Sequence, residues 1–284
     1  MDHHIREFYS TTSDDESPKG CFHSVVALHD NPNATWEVIS EQCSELCKGW
    51  FELSRLKPAD RIEFIRDYWL SMLPYHPGLD KFLMKFFGML DDIGVFIVQK
   101  KYDDPYEAHL VYSLRGNSGF YRGRSGISEA NLAELQKIFP NQALPADYLA
   151  FLRIHDGFNK SSDCTGIAHS QKLSSLYEDF QNMLSQHEET LVSGKDTYVD
   201  PKSLIPFYES FGMPFYQCFW TEWYPENEMG NVYYSGMTNS ISDITGPLSS
   251  MDNMAFSTFL DWLMFYLEQV EEPVADEGKG SSKA

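Results

Sequence analysis

The chain has 284 residues, of which 42% are hydrophobic and 15% aromatic, enough for a buried core in one large or two ordinary domains. Its apolar runs are too short to cross a bilayer, and residues 1–20 lack the basic-then-apolar pattern of a secretory signal. Five unclustered cysteines argue against a disulfide framework and predict a cytoplasmic protein. The formal net charge of −20 makes direct binding of nucleic-acid phosphates unexpected.

The negative charge is concentrated in the C-terminal part of the chain. From Ser161 onward, five Lys or Arg residues stand against 19 Asp or Glu residues, and no arginine follows Arg153. Such a surface suits a basic protein partner, for example a nuclease whose basic cleft could be blocked. From the charge alone, the simpler interpretation that acidic residues keep the protein in solution is favoured.

The sequence of the first 121 residues predicts a leader followed by a small α+β segment. Residues 1–20 are too polar to bury and predict a flexible leader. Residues 21–121 predict a smaller helical segment followed by a hairpin, because apolar residues recur first at helical and then at strand spacing. The expected helices and strands are Thr35–Leu53, Pro58–Pro74, Gly78–Leu90, Val95–Gln99 and Ala108–Leu114.

Residues 122–272 predict a second α+β segment, and residues 273–284 a flexible tail. Ser128 is expected to cap a helix through Phe139. In the stretch Leu144–Phe158, Pro145 suits the first turn of a short helix and Gly157 is expected to end it in a left-handed conformation. Further elements are a helix or irregular crossover at Leu173–Gln186, short strands at Leu204–Tyr208, Phe215–Trp220 and Asn231–Tyr234, and a closing helix at Met254–Val270.

Three blocks of this second segment carry a family resemblance. They are Leu144–Gly157, then Ile205–Phe207 with Gly230–Tyr234, and finally Ala255–Leu263. In this order they resemble the SUKH superfamily, which contains yeast cell-wall regulators of the Smi/Knr type and many bacterial immunity proteins. The resemblance covers residues of about 125–270 only.

The resemblance implies an α+β fold with a central antiparallel sheet flanked by helices. It also implies a non-catalytic protein-binding module, immunity-type or regulatory, without a cofactor. Many bacterial relatives neutralise nuclease or deaminase toxins by direct contact, so the expected partner is a protein, in this case a basic one such as a toxin or nuclease. The chain departs from the family at Asp156, where asparagine is usual, and at Asn231, where an acidic residue is frequent.

The aromatic block from Phe215 to Tyr224 is the predicted partner surface. One face of this strand is expected to be core, and the other exposes aromatic side chains unless residues 21–121 cover it; the two alternatives remain open. The candidate partner-binding residues are Tyr216, Trp220, Glu222, Trp223, Tyr224, Glu226 and Glu228.

The run Arg115–Gly126 is basic and rich in glycine within an acidic chain. Its arginines Arg115, Arg122 and Arg124 are candidate anion-binding residues, since guanidinium groups and backbone N–H groups can hold a phosphate or an acidic peptide. The run lacks the spacing of a phosphate-binding P-loop. A linker between the two segments is the favoured alternative.

Two weaker patterns in the sequence bear on metal binding and on catalysis. Cys43 and Cys47 could share a helix turn and hold zinc with His23 and His29, but the C-x-x-C spacing is missing, so structural cysteines and no metal are expected.

His155 and Asp156, with Cys164 and His169, could suggest a nucleophilic pair, but nothing fixes their geometry and no catalytic residue is predicted. Asp156 is expected to bind the turn backbone beside Gly157. One alternative function is a hydrolase or nucleotide-handling enzyme that uses the Arg115–Arg124 loop and nearby histidines. Another is a structural or chaperone-like interaction protein.

Overall fold

A computed structural model gives the fold of the chain. The structure describes residues 1–10, 22–140, 142–163, 165–186, 190–193, 197–210, 214–244 and 254–268. Within these residues, no helix is both long enough and apolar enough to cross a membrane. The predicted tail 273–284 and the second half of the predicted leader lie outside the described residues.

The first 124 residues supply helices α1 to α5 and strands β1 to β4. Their bounds are α1 His3–Phe8, β1 Ser24–Ala27, α2 Trp36–Gln42, α3 Lys48–Leu53, α4 Pro58–Met72, α5 Leu79–Gly88, β2 Leu90–Gln99, β3 Glu107–Leu114 and β4 Phe120–Arg124. The predicted hairpin is confirmed as β2 and β3, although β2 begins at Leu90 and not at the predicted Val95, and the helices predicted after Pro58 and Gly78 are confirmed as α4 and α5.

The remaining residues supply helices α6 to α9 and strands β5 to β12. Their bounds are α6 Glu129–Ile138, α7 Ala146–Ile154, β5 Phe158–Lys160, β6 Gly166–Ile167, α8 Ser170–Ser185, β7 Val192–Ser193, β8 Leu204–Glu209, β9 Phe215–Trp220, β10 Asn231–Ser235, β11 Ser240–Ile241, β12 Ala255–Phe256 and α9 Phe259–Glu268. The α+β class is thereby confirmed.

In the described part of the chain, the strands form one sheet. Its order is β1-β2-β3-β4-β5-β6-β8-β9-β10-β11-β7, with β12 paired to β10. The pairs are antiparallel except β11 with β7, which is parallel. The central antiparallel sheet expected for residues 125–270 is present and continues into the strands that precede it.

The two faces of the sheet carry different helices. Helices α3, α4, α5, α7 and α9 contribute to the largest buried cluster, in which Trp69 of α4 lies against Tyr112 and Phe158. Helix α1 packs on the opposite face of β1 to β4, where Ile5 and Phe96 share a smaller cluster. Helix α8 inserts Phe180 among residues of β8, β9 and β10 that point away from the largest cluster.

The predicted boundary near residue 121 falls inside strand β4. This strand pairs with β3 through Tyr112 and Tyr121, and with β5 through Gly123 and Phe158. Because both neighbours are joined to β4 by backbone hydrogen bonds, the chain on either side of residue 121 shares one sheet and one buried cluster.

Residues 1–10 differ from the predicted flexible leader. They contain α1, Ile5 is fully buried, and the ring of Tyr9 stacks on Phe96 with centroids 4.2 Å apart. The prediction weighs the polar residues after position 9 and misses the apolar side chains before it. Those side chains pack against the face of β1 to β4, which no other helix covers within the described residues.

The helix predicted from Thr35 to Leu53 is two helices. Cys43 and Cys47 both have extended backbone conformations, so α2 ends before Cys43 and α3 begins after Cys47. Cys43 is buried and its thiol lies 3.5 Å from the carbonyl oxygen of Tyr106, whereas Cys47 is exposed. The shared helix turn on which the zinc alternative depends is therefore interrupted.

Two blocks of the predicted family signature meet at the start of α9. The buried Asp147 of α7 accepts the N–H of Leu260 at 3.0 Å, one of the donors that a helix start leaves unpaired. Thr258 caps the same helix, since its hydroxyl accepts the N–H of Asp261 at 3.1 Å and donates to the Asp261 carboxylate at 2.9 Å. The predicted helix start at Met254 is wrong, because Ala255 and Phe256 pair with β10 instead.

Helix α4 is attached to the sheet by a buried ion pair. Arg61 Nη2 and Nε donate to Asp92 Oδ1 at 2.6 and 3.0 Å, and only 4% of Arg61 and 7% of Asp92 are exposed. Asp92 lies where the β2–β3 register shifts, and the same oxygen accepts the N–H of Ile93 at 2.7 Å. Removal of one member would leave the other charge buried without a partner.

We predict that Arg61→Ala lowers the free energy of unfolding by about 3–5 kcal/mol. Arg66→Ala is the control on the same helix. Its partners Asp67 and Glu63 are exposed, so its loss should stay below about 1 kcal/mol. Urea denaturation followed by tryptophan fluorescence measures both, and equal losses would contradict a structural role for the buried pair.

Candidate functional site

Strand β9 carries the predicted aromatic block and is buried on both faces. Tyr216 and Trp220 are only 9% and 8% exposed, and the Tyr216 ring lies 4.9 Å from Phe180 of α8. Phe219 points to the other face, 5.0 Å from the ring of Tyr148. Tyr216 and Trp220 are therefore core residues, which corrects their prediction as partner contacts. Helix α8, rather than residues 21–121, covers this aromatic face.

The other predicted partner residues lie on the loop Thr221–Gly230, which joins β9 to β10. They are Glu222, Trp223, Tyr224, Glu226 and Glu228. Glu222 and Glu226 are exposed, and 51% of Tyr224 is exposed. The other two are half-buried. The structure thus brings one aromatic side chain and two carboxylates together at the surface of a single loop.

The loop Thr221–Gly230 is held by backbone hydrogen bonds at its base. The N–H of Trp223 donates to the Trp220 carbonyl at 3.0 Å, and the N–H of Gly230 donates to the Trp223 carbonyl at 2.9 Å. Gly230 is needed here because a Cβ at this position would lie 2.4 Å from the Trp223 ring. The exposed side chains of the loop therefore project from a fixed base.

The residues near this loop in the sequence include no positive charge that would balance its carboxylates. No lysine or arginine occurs between Lys202 and Lys279. No side chain in the described part of the chain forms an ion pair with Glu222 or Glu226. The loop consequently offers free carboxylates to an external positive charge.

The basic run Arg115–Gly126 is part of the sheet. It begins with a short 3-10 turn at Arg115–Asn117 and continues as β4, which has a paired strand on each side. A strand bonded on both edges is not a flexible linker, so the favoured alternative for this run is wrong over β4. Arg115 lies apart from the other two arginines: its Nε donates to the Leu90 carbonyl at 3.0 Å.

Arg122 and Arg124 project from the same side of β4 because they are two residues apart in a strand. They line a cavity of about 240 Å³. Its other charged or polar lining residues come from β3, β5, α8 and the adjoining loops and are Lys100, Glu107, His109, Asn159, Thr165, His169 and Lys172. The structure thus places two of the three predicted anion-binding residues in a basic cavity.

Glu107 is the one carboxylate among the described lining residues of this cavity. Its oxygens lie 3.1 Å from Lys100 Nζ and 3.3 Å from His109 Nε2, and 3.8 Å from Arg124 Nη1. Burial raises the pKa of Glu107, but the hydrogen bond from His109 and the charges of Arg124 and Lys100 outweigh it and lower the pKa to about 2. Glu107 is therefore ionised at neutral pH.

The histidines of the cavity are held neutral. Burial lowers the pKa of His109 to about 4, although its hydrogen bond to Glu107 acts in the opposite direction. Burial also lowers the pKa of His169 to about 4, helped by the charges of Arg124 and Lys172. At neutral pH both rings can donate or accept a hydrogen bond without adding charge.

His155 is a buried residue that links β3 to β4. Its Nε2 lies 2.6 Å from the Tyr112 hydroxyl and its Nδ1 lies 2.8 Å from the Arg124 carbonyl oxygen. Burial lowers the pKa of His155 to about 4, so the neutral ring donates from Nδ1 and accepts at Nε2. Trp69 Nε1 completes the chain by donating to the Tyr112 hydroxyl at 3.0 Å. Both ring nitrogens are therefore occupied.

Asp156 has a different partner from the one predicted. Its carboxylate accepts the backbone N–H of Ser170 at 2.6 Å and the Ser170 hydroxyl at 2.7 Å, so it fixes the start of α8. Gly157 has the predicted positive φ, at 99°, but it does not end α7 as predicted, because the helix already ends at Ile154. Cys164, which the nucleophilic alternative requires, lies outside the described residues.

Sequence reasoning missed most of the basic cavity. Lys100, Glu107, His109 and Lys172 come from positions up to 72 residues apart and meet only because β3 and β4 pair beside the start of α8. One local signal was present: Glu107 and His109 alternate with apolar residues along β3, and strand alternation places such residues on one face.

These features define an α+β domain with a mostly antiparallel sheet, an acidic loop and a basic cavity. The model of the SMI1 / KNR4 family (SUKH-1) matches residues 126–262, so this region of the chain is similar to that family. The match lies close to the predicted span of about 125–270. No curated protein sequence matches the chain. The family supports an immunity-type or regulatory domain in general, a class whose members are generally non-catalytic.

The neutral state of His155 predicts a loss of stability in mild acid. A histidine in the unfolded chain binds its proton near pH 6.5, whereas folded His155 stays neutral down to about pH 4. As the pH falls, the unfolded state takes up the proton first, so the free energy of unfolding decreases between these two values. From about pH 6.5 to about pH 5, His155 should account for about 1.5 kcal/mol of this decrease.

Urea unfolding at the two pH values tests this prediction with His155→Gln. The variant should be less stable at neutral pH and should lose about 1.5 kcal/mol less than the wild type on acidification. His23→Gln is the control and should keep the wild-type loss, since His23 is exposed. An unchanged loss in His155→Gln would contradict the prediction. NMR titration of the wild-type ring gives the same answer if the variant does not fold.

Proposed function

We propose that the chain is a non-catalytic binding module that recognises a basic partner protein, as an immunity-type or regulatory domain. The observation that carries this proposal is the loop Thr221–Gly230. It presents exposed Tyr224 between the exposed carboxylates of Glu222 and Glu226 on a base fixed by hydrogen bonds. A toxin or nuclease with a basic surface is the kind of partner that fits.

The charge of the whole chain supports a basic partner. At a net charge of −20, the protein attracts positively charged molecules before contact and repels acidic ones. The stretch between Lys202 and Lys279, which contains the loop, has no basic side chain that would reduce its negative charge. Electrostatic steering of this kind mainly raises the association rate and weakens with added salt.

Tyr224 supplies the short-range part of the proposed contact. An exposed tyrosine on a rigid support adds contact area and a hydroxyl group at little entropic cost, which is why tyrosines are frequent at binding hot spots. Half-buried Trp223 fills the space beneath the loop, beside Gly230. The buried Tyr216 and Trp220 support the strand from which the loop emerges.

We prefer this proposal to the enzyme alternative because two of the residues considered for catalysis, His155 and Asp156, already have partners inside the protein. Both nitrogens of His155 are hydrogen-bonded, and Asp156 holds Ser170. A chaperone-like interaction protein would use the same exposed loop and would differ in capturing many partners. We also propose a reducing, cytoplasmic location, because Cys43, Cys47 and Cys218 are unpaired thiols.

Charge reversal on the loop tests the proposal. Glu222→Lys with Glu226→Lys should weaken capture of a basic partner from extract by at least about tenfold. Glu37→Lys with Glu41→Lys is the matched control, because it makes the same charge change on exposed residues of α2. Tyr224→Ala should also weaken capture, with less dependence on salt.

Capture is measured by quantitative mass spectrometry at about 0.05 M and about 0.5 M salt. We expect one basic protein that is retained by the wild type and by the α2 variant, and lost with the loop variant. Equal retention by the loop and α2 variants would show that only the overall charge matters. Absence of any partner at low salt, or retention of many unrelated proteins, would also contradict the proposal.

A further inference from the structure

The cavity on strands β3 to β5 is a basic site in an acidic protein. From the placement of Arg122, Arg124, Lys100 and Lys172, we propose that it binds a phosphate group, either on a small phosphorylated molecule or as inorganic phosphate. The inference is independent of the proposed partner surface, because the loop Thr221–Gly230 lies beyond β9, at another position in the sheet.

Arg122 is held in position before any ligand arrives. Its Nε donates to Asn159 Oδ1 at 2.9 Å, and its guanidinium carbon lies 4.5 Å from the centroid of the Phe8 ring. A guanidinium fixed on two sides loses little freedom when it binds an anion. Its planar fork of N–H groups matches the geometry of phosphate oxygens.

Arg124 has donors that are not committed to short hydrogen bonds. Its nearest carboxylates are Glu107 at 3.8 Å from Nη1 and Glu45 at 3.6 Å from Nη2, both beyond hydrogen-bond distance. Arg124 is three-quarters buried, so its charge is less screened than that of a surface arginine. An anion between Arg122 and Arg124 would accept from both side chains.

The positive charge of the cavity exceeds its negative charge. Among the described lining residues, two arginines and two lysines face the single carboxylate of Glu107, which already pairs with Lys100 and His109. Like charges held this close repel one another, and an anion would relieve the repulsion. Burial lowers the pKa values of His109 and His169 to about 4, and the neighbouring cations contribute to the shift. This contribution is consistent with an excess of positive charge in the cavity.

The size of the cavity selects a small ligand. At about 240 Å³, it is smaller than the roughly 300–1,000 Å³ typical of pockets for drug-sized molecules. A phosphate with a modest attached group fits this volume. A nucleic-acid chain does not fit the proposal, because most of the protein surface would repel its other phosphates.

Isothermal titration calorimetry of the full chain tests the site with two probes, inorganic phosphate and AMP. We expect saturable binding with a Kd below about 1 mM for at least one probe. Tighter inorganic phosphate would identify the free ion as the ligand class, and tighter AMP would identify a phosphate ester. Sodium acetate at equal ionic strength is the chemical control and should bind at least about tenfold more weakly.

Arg122→Gln and Arg124→Gln should each weaken binding by at least about tenfold, because each removes charged hydrogen bonds to the anion. Arg153→Gln is the matched control, since this exposed arginine of α7 lies outside the cavity, and it should bind as the wild type does. Circular dichroism establishes that each variant is folded. Lys172→Gln, an exposed change at the cavity edge, should also weaken binding and decides the case if both arginine variants unfold.

Three results would overturn the proposal. The first is no saturable binding of either probe up to on the order of 10 mM. The second is unchanged affinity in the folded arginine variants, or in Lys172→Gln if neither of them folds. The third is acetate binding as tight as that of phosphate, which would indicate a general response to anions.

Discussion

The fold depends on one buried hydrogen-bonded chain, which runs from Trp69 through Tyr112 and His155 to the carbonyl oxygen of Arg124. These groups belong to α4, β3, the end of α7 and β4, so this series of hydrogen bonds connects the first part of the protein to the region that matches the SUKH-1 model. It is fully satisfied only when His155 is neutral. It also explains Gly123, since a Cβ there would lie 2.3 Å from His155 Nδ1.

The same arrangement separates the charges of the protein. His155 supports β4 from one face, and Arg122 and Arg124 extend from the other face into the basic cavity. Several strands further along the sheet, the rigid core around Phe219 supports the acidic loop Thr221–Gly230. The continuous sheet holds the acidic loop and the basic cavity apart. The carboxylates of the loop therefore do not neutralise the positive charge of the cavity.

Local sequence patterns predicted the long amphipathic elements well. Helices α4 and α6 and strands β2 and β3 have regular apolar spacing and clear end signals, such as Pro58 and Ser128. The break between Cys43 and Cys47 was missed because burial of Cys43 against Tyr106, a tertiary contact, determines it.

For the candidate site, burial could not be read from strand alternation. Strand alternation places Tyr216 and Trp220 on one face of β9, but it does not show whether that face is exposed. In the structure α8 covers it. The cavity depends on contacts between distant positions, which periodicity does not record.

Hydrogen exchange of the native full chain tests the central claim, that β4 unites both parts in one structural unit. Amides of β3, β4 and β9 should share the same free energy of exchange, and clearly faster opening of β2 and β3 than of β8 to β10 would contradict it.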